Sequence, residues 1–163
     1  MSVPLIGQVK TKLYVKEPGP CAQTYRLDKG RVLTSKGLIE DPTVNEIMER
    51  AIAKEMNGRR IRESAGKPDL IFRFMGGTGA GLQIDDPTAG DMMVWNIGGT
   101  FPTSSKYYKK SALFIAAVDG HNQQTIWAAK CSDKFGDPAR LEERINKAVT
   151  SAFKKLPAFL TCR

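Results

Sequence analysis

The sequence is poor in the residues that most often carry chemistry. It holds one histidine, His121, and three cysteines, Cys21, Cys131 and Cys162. The cysteines show no C-x-x-C spacing, so neither a zinc site nor a thiol-exchange motif is offered. Their odd number leaves at least one thiol free or paired between chains. With a single imidazole, a Ser–His or Cys–His arrangement would have to use His121. That residue sits in a Gly-Asn turn, and there is no G-x-S-x-G elbow. The expectation is a chain without catalytic residues, metal or cofactor, in which His121 is a polar loop residue.

Long apolar runs are missing as well. The longest, Ala112 to Val118, falls far short of the roughly 20 residues a membrane-spanning helix needs. The opening M-S-V-P-L-I-G-Q-V-K carries no basic stretch followed by a sustained apolar one. Both a cytoplasmic chain and a processed envelope domain fit that opening. Contact with a membrane is expected only through an anchor outside this chain. Cys21, in G-P-C-A, follows no apolar stretch and does not read as a lipid-attachment cysteine.

What is present suits one folded domain over residues 1–163. A hydrophobic content of 41% supplies a core, and a charged fraction of 26% is ordinary for a solvated surface. Lys and Arg number 25 against 17 Asp and Glu, a net charge of +8. A surplus of this size attracts polyanions, and it also keeps a protein soluble.

Two segments read as helices. Asp41-Pro42 supplies a cap and a proline suited to the first helical position. Val44, Ile47, Met48, Ala51, Ile52 and Met56 then form one apolar stripe, and Asn57-Gly58 offers a left-handed stop. The second helix starts at Asp137-Pro138. Its stripe is Leu141, Ile145, Ala148, Val149, Ala152, Phe153 and Leu156, and Pro157 ends it.

Strands are expected at Thr11–Lys16, Gln23–Leu27, Leu70–Met75, Met92–Ile97, Ala112–Val118 and Thr125–Ala129. The first two would form an N-terminal hairpin within residues 1–40, across Glu17-Pro18-Gly19-Pro20. Asp119 to Asn122 is a strong hairpin signal between the last two. Residues 76–90, rich in Gly, Asp and Pro, read as a mobile loop. The fold class expected is α+β, a mainly antiparallel sheet with both amphipathic helices packed on one face.

Three stretches resemble a bacterial family known as domain of unknown function 4136, many of whose members are taken for envelope lipoproteins. They are D-P-T-V-N-E-I-M-E-R-A-I-A-K-E-M-N-G-R-R-I-R (Asp41 to Arg62), P-D-L-I-F-R-F (Pro68 to Phe74), and Y-Y-K-K-S-A-L-F-I-A-A-V-D-G-H-N-Q-Q-T-I-W-A-A-K (Tyr107 to Lys130). In the last, Trp127 falls where the family carries a tryptophan. The resemblance implies a fold and a cell-envelope or periplasmic location, and it implies no activity.

Candidate sites are few. Met75 to Gly81, M-G-G-T-G-A-G, follows a strand, but no Gly-Lys-Ser/Thr and no helix start follow it, so a phosphate cradle is not expected. Asp85 and Asp86 lack the further oxygen ligands of a calcium loop. Lys106, Tyr107, Tyr108, Lys109 and Lys110 interleave bases with aromatics, a pattern that suits single-stranded nucleic acid. Lysines on a strand edge also discourage edge-to-edge pairing. Trp95 and Phe101 are placed as the lip of an apolar pocket. The reading is a non-enzymatic envelope domain that binds a protein or an apolar ligand. The alternative is a cytoplasmic polyanion-binding module.

Overall fold

The computed structural model describes residues 9–15, 20–34, 37–77, 82–83, 106–107, 111–133 and 138–160. Ten strands and two longer helices follow one another along them. β1 (Val9–Leu13), β2 (Thr24–Leu27), β3 (Arg31–Thr34) and β4 (Gly37–Ile39) precede α1 (Pro42–Gly58). β5 (Arg62–Glu63), β6 (Leu70–Gly77), β7 (Leu82–Gln83), β8 (Lys106–Tyr107), β9 (Ser111–Asp119) and β10 (Thr125–Asp133) come next. A 3₁₀ turn (Pro138–Arg140) leads into α2 (Leu141–Phe153), and a second 3₁₀ turn spans Ala158–Leu160. The strand expected at Met92–Ile97 lies outside the described residues.

The main sheet runs β1-β10-β9-β6. β2 and β3 lie in succession along the far side of β6, with β5 beyond β2 and β4 beyond β3. β7 and β8 form a separate antiparallel pair. The fold is α+β, but the sheet is mixed. β6 pairs antiparallel with β9 and parallel with both β2 and β3, and β5 is parallel to β2.

The expected pairing of the first two strands is overturned. β1 pairs antiparallel with β10, with Leu13 opposite Trp127 and Val9 opposite Cys131. β2 lies on the other side of the sheet, with Tyr25 beside Leu70. Each strand sits where its apolar positions meet a buried neighbour, and a turn-rich linker does not override that. The hairpin of this region is instead β3–β4, which no strand or turn expectation covered.

Both helices share one face of the sheet. Phe72 and Phe74 of β6, Ile115 and Ala117 of β9, and Trp127 and Ala129 of β10 project toward them, in one core with Met48, Ile52, Ile145, Val149 and Phe153. Phe153 is its hub, 5.3 Å edge-on from Phe72 and 5.9 Å from Trp127. The other face of the central strands is apolar too. Ile71, Met75, Phe114, Ala116 and Val118 alternate with the core set and are buried, as the unbroken apolar run of β9 predicts.

α1 begins as read. Asp41 accepts hydrogen bonds from the backbone N–H of Thr43 and Val44, with Pro42 at the first helical position. Its end differs from the expected stop at Asn57-Gly58. The helix runs through Gly58, and the left-handed residue is Arg60 (φ 59°). The Arg60 N–H bonds to the Asn57 carbonyl and the Ile61 N–H to the Met56 carbonyl. That is a Schellman closure with buried Ile61 and Met56 as its apolar pair. Core placement of Ile61 fixes the stop two residues late and overrides glycine's local preference.

α2 also starts later than Asp137-Pro138 suggested. Pro138–Arg140 is a 3₁₀ turn, the α-helix spans Leu141–Phe153, and the chain turns before Leu156 and Pro157. Its acidic first turn, Glu142 and Glu143, suits the helix dipole.

Candidate functional site

Most of the residues singled out as site candidates lie outside the described residues. They are Trp95, Phe101, Tyr108, Lys109 and Lys110, together with Asp85, Asp86 and Thr78 to Gly81. Lys106 and Tyr107 pair with Gln83 and Leu82 in the small β7–β8 ladder. Gly76 and Gly77, expected in the mobile loop, close β6. Trp127, which falls where the family carries a tryptophan, is buried against Phe153 of α2.

Three other features are built. The first joins the β5–β6 link to the β9–β10 turn. Asp69, just ahead of β6, accepts the backbone N–H of Gln23 at 2.9 Å and of Thr24 at 3.3 Å. The Thr24 hydroxyl accepts the Asp69 N–H in return, at 3.0 Å. His121 Nε2 lies 3.1 Å from the second carboxylate oxygen, and Gly120 N–H reaches the Asp69 carbonyl at 2.9 Å. The Gln23 N–H, and then His121 and Thr24, hold the Asp69 carboxyl below its usual 3.8, against an opposing push from burial.

An Asp–His contact can serve acid–base chemistry. Here both carboxylate oxygens are occupied by groups that fasten β2 and the turn to the start of β6, so the arrangement is a clasp. Asp119 builds the turn itself by accepting the N–H of His121 and Asn122. The only sequence signal for the clasp was the aspartate before an apolar strand, with no hint of which segments it would join.

Asp69→Ala is expected to lower stability by about 1–3 kcal/mol at neutral pH, because two backbone N–H groups lose a charged acceptor. A depressed carboxyl pKa contributes stability above its unfolded value near 3.8, and the contribution disappears as pH falls through the folded value. Urea melts of both proteins should therefore converge on acidification. A gap that stays constant down the acid limb would refute the role assigned to the carboxylate.

The second feature is a polar cleft on the outer surface of the helix pair, lined by Arg50, Lys54, Glu55, Glu142, Asn146 and Thr150. Arg50 bridges Glu46 at 2.8 Å and Glu142 at 3.0 Å across it. Its lining is mixed in charge, with Ala51 among the charged and polar side chains. Nearby, Arg59 closes the helix ends, donating to the Phe153 carbonyl at 2.8 Å with its guanidinium over the Phe153 ring.

The third feature is the sheet's edges. β1 is exposed along Lys10 to Leu13, and no described strand pairs with its outer side. Tyr14 N–H bonds to the Ile126 carbonyl. By alternation, Lys10 and Lys12 bond to β10, and the N–H and C=O groups of Val9, Thr11 and Leu13 point outward. The Val9 carbonyl is taken by the Lys155 ammonium at 2.9 Å, so among the described residues Thr11 and Leu13 form the open part of the edge. Among the described residues, no group of His, Cys, Asp and Glu is arranged to hold a metal ion.

No curated protein matches the chain. Solved structures share its fold at low identity. The PelC dodecamer from Paraburkholderia phytofirmans is 11% identical with a TM-score of 0.53, over 93% of this chain and 100% of that one. A PDZ domain protein from Parabacteroides distasonis is 10% identical with a TM-score of 0.57, over 92% of this chain but 35% of that one. The family model described as domain of unknown function (DUF4136) matches residues 21–158, and this chain belongs to that family.

Proposed function

We propose that the chain is a non-enzymatic domain of the bacterial cell envelope that binds protein. The observation that carries the binding role is the outer edge of β1, which no described strand covers and where the backbone groups of Thr11 and Leu13 face outward beside the exposed side chain of Leu13. An extended segment adds to such an edge through main-chain hydrogen bonds. Protein is favoured over an apolar ligand because, among the described residues, the exposed large apolar side chains are Leu13 and Ile39, both on strands. PelC, of the same fold, is a dodecamer, so chain-to-chain contact is compatible with this architecture.

The location is supported by cysteine chemistry. Cys131 is a buried thiol whose Sγ lies 3.7 Å from the Ala148 carbonyl, whereas Cys21 is disulfide-bonded. Structural disulfides persist in oxidising compartments such as the periplasm and are rare in the cytosol.

The test uses intact host cells and a photo-cross-linking amino acid in place of Leu13. Irradiation is expected to give a covalent protein adduct. In the same cells, Cys21 should resist alkylation until a reductant is added. Absence of any adduct defeats the binding role, and a Cys21 thiol that reacts without reduction defeats the envelope location.

A further inference from the structure

We infer that the protein occupying the β1 edge is a second copy of this chain, presenting its β4 edge. The inference rests on the protein-binding reading above and names the partner.

The two edges of the sheet are unlike and complementary. Among the described residues, the large hydrophobics that remain exposed are Leu13, at 43%, and Ile39, at 42%. Leu13 is on β1, at one edge. Ile39 is on β4, at the other.

Both sit on the helix-covered side of the sheet. Leu13 lies opposite Trp127, a core residue. Ile39 lies opposite Val32, another core residue. Lys10 and Lys12 alternate onto the other side, where both are exposed. Glu40, one residue beyond Ile39, is exposed and alternates onto that same side. Apolar therefore matches apolar on one side of a continued sheet, and acid matches base on the other.

Strand directions agree with this. β1 and β9 are each antiparallel to β10, β6 is antiparallel to β9, β3 is parallel to β6, and β4 is antiparallel to β3. β1 and β4 thus run the same way. A second copy placed beside the first, helices on the same side, sets its β1 parallel to β4 and extends the sheet. The outward N–H and C=O groups of Thr11 and Leu13 meet that strand.

The symmetric alternative, β1 against β1, is disfavoured by charge. Centred on Thr11, it would set Lys10 of each copy against Lys12 of the other, and Lys130 already lies opposite Lys10 within one chain. Like charges directly opposed across a ladder destabilise it. β5 places Arg62 on the lysine side of the sheet, opposite Thr24, so the acidic complement lies at the β4 half of that edge. Contacts between unlike surfaces propagate, giving a closed ring or an open filament.

The experiment is sedimentation velocity on the purified, oxidised chain across concentration. Wild type is expected to associate beyond a dimer. Thr11→Pro removes one outward N–H and leaves the β10 ladder intact, as proline is tolerated on edge strands. It blocks the β1 edge. Ile39→Asp blocks the β4 edge. Each variant alone is expected to be monomeric, with association weakened at least about tenfold.

Mixed, the two variants retain one open edge of each kind and should form a one-to-one dimer. Glu40→Lys, which alters only an exposed side chain, should weaken association without any effect on folding. A monomeric wild type, association that stops at a dimer, or variants that fail to complement each overturn the inference. So does a Leu13 cross-link to a different polypeptide, which would leave the protein-binding reading standing. No adduct at all would remove both.

Discussion

Phe153→Ala is expected to destabilise the protein by about 3–5 kcal/mol, near the upper range for removing a buried aromatic ring. The ring is 0% exposed and touches three parts of the structure at once. Phe72 of β6 meets it edge-on at 5.3 Å, Trp127 of β10 lies at 5.9 Å, and Arg59 at the end of α1 sits over it. Deletion leaves a cavity that the sheet cannot close, because Phe72 and Trp127 are fixed by their own ladders. Ile145→Ala, one buried position on the same stripe, should cost about 2–5 kcal/mol. Lys147→Ala provides the comparison. It loses an exposed pair with Glu143, and its effect should stay under about 0.5 kcal/mol. Denaturant melts of the three variants measure this directly. Equal losses would mean that α2 presents a different face to the sheet.

Gly120→Ala is expected to be nearly as damaging, although it adds only a methyl group. A Cβ at Gly120 would overlap the Pro68 carbonyl oxygen and lie 2.9 Å from the Pro68 carbonyl carbon. Backbone cannot turn aside as a flexible side chain can. The β9–β10 turn would have to lift away, breaking the 2.9 Å bond from Gly120 N–H to the Asp69 carbonyl. His121 would leave the Asp69 carboxylate with it. Overpacking costs about 1–3 kcal/mol and occasionally more, and loss of the clasp places this variant at the upper end. Gly58→Ala is the control, because nothing lies within 4 Å of a Cβ there. A thermal melt of Gly120→Ala that matches the Gly58→Ala melt would show that the close approach carries no weight.

Periodicity carried the sequence reading where burial is one-sided and continuous. The stripe from Val44 to Met56 and the stripe from Leu141 to Leu156 each identify a helix and the face it buries. The first is found as read, and in the second Ile145 to Phe153 is buried on the helix while Leu156 falls in the turn beyond it. The apolar run of β9 was legible for a related reason, since a strand covered on both sides needs no alternation. The Asp119-to-Asn122 turn was legible because its residues supply their own hydrogen bonds, as Asp119 does for His121 and Asn122.

Beyond the β9–β10 hairpin, pairing was not legible. Nothing local in Thr24 to Leu27 distinguishes a strand that hydrogen-bonds to β1 from one that lies parallel to β6. That choice depends on which neighbour buries Tyr25, and the neighbour is 45 residues away along the chain. The clasp was hidden for the same reason. Asp69, Gln23 and His121 come from three separate segments, and each is an ordinary polar residue alone. The α1 terminus carried a conflict in which Asn57-Gly58 offered an early stop and burial of Ile61 required a later one.

What the sequence by itself determined is the two helices found among the described residues, their buried faces, the central strand and the membership of a family without an assigned activity. These follow from short-range periodicity and capping, which act over a few residues. Tertiary structure alone decided which strands distant in the sequence meet, where the sheet ends and which groups its edges expose. Those outcomes depend on contacts between distant segments, whose free energy exists only once the core has formed. The edge on which the proposed partner docks is one of them. Thr11 turns its N–H outward because β1 lies outside β10, and no residue near Thr11 in the sequence records that fact.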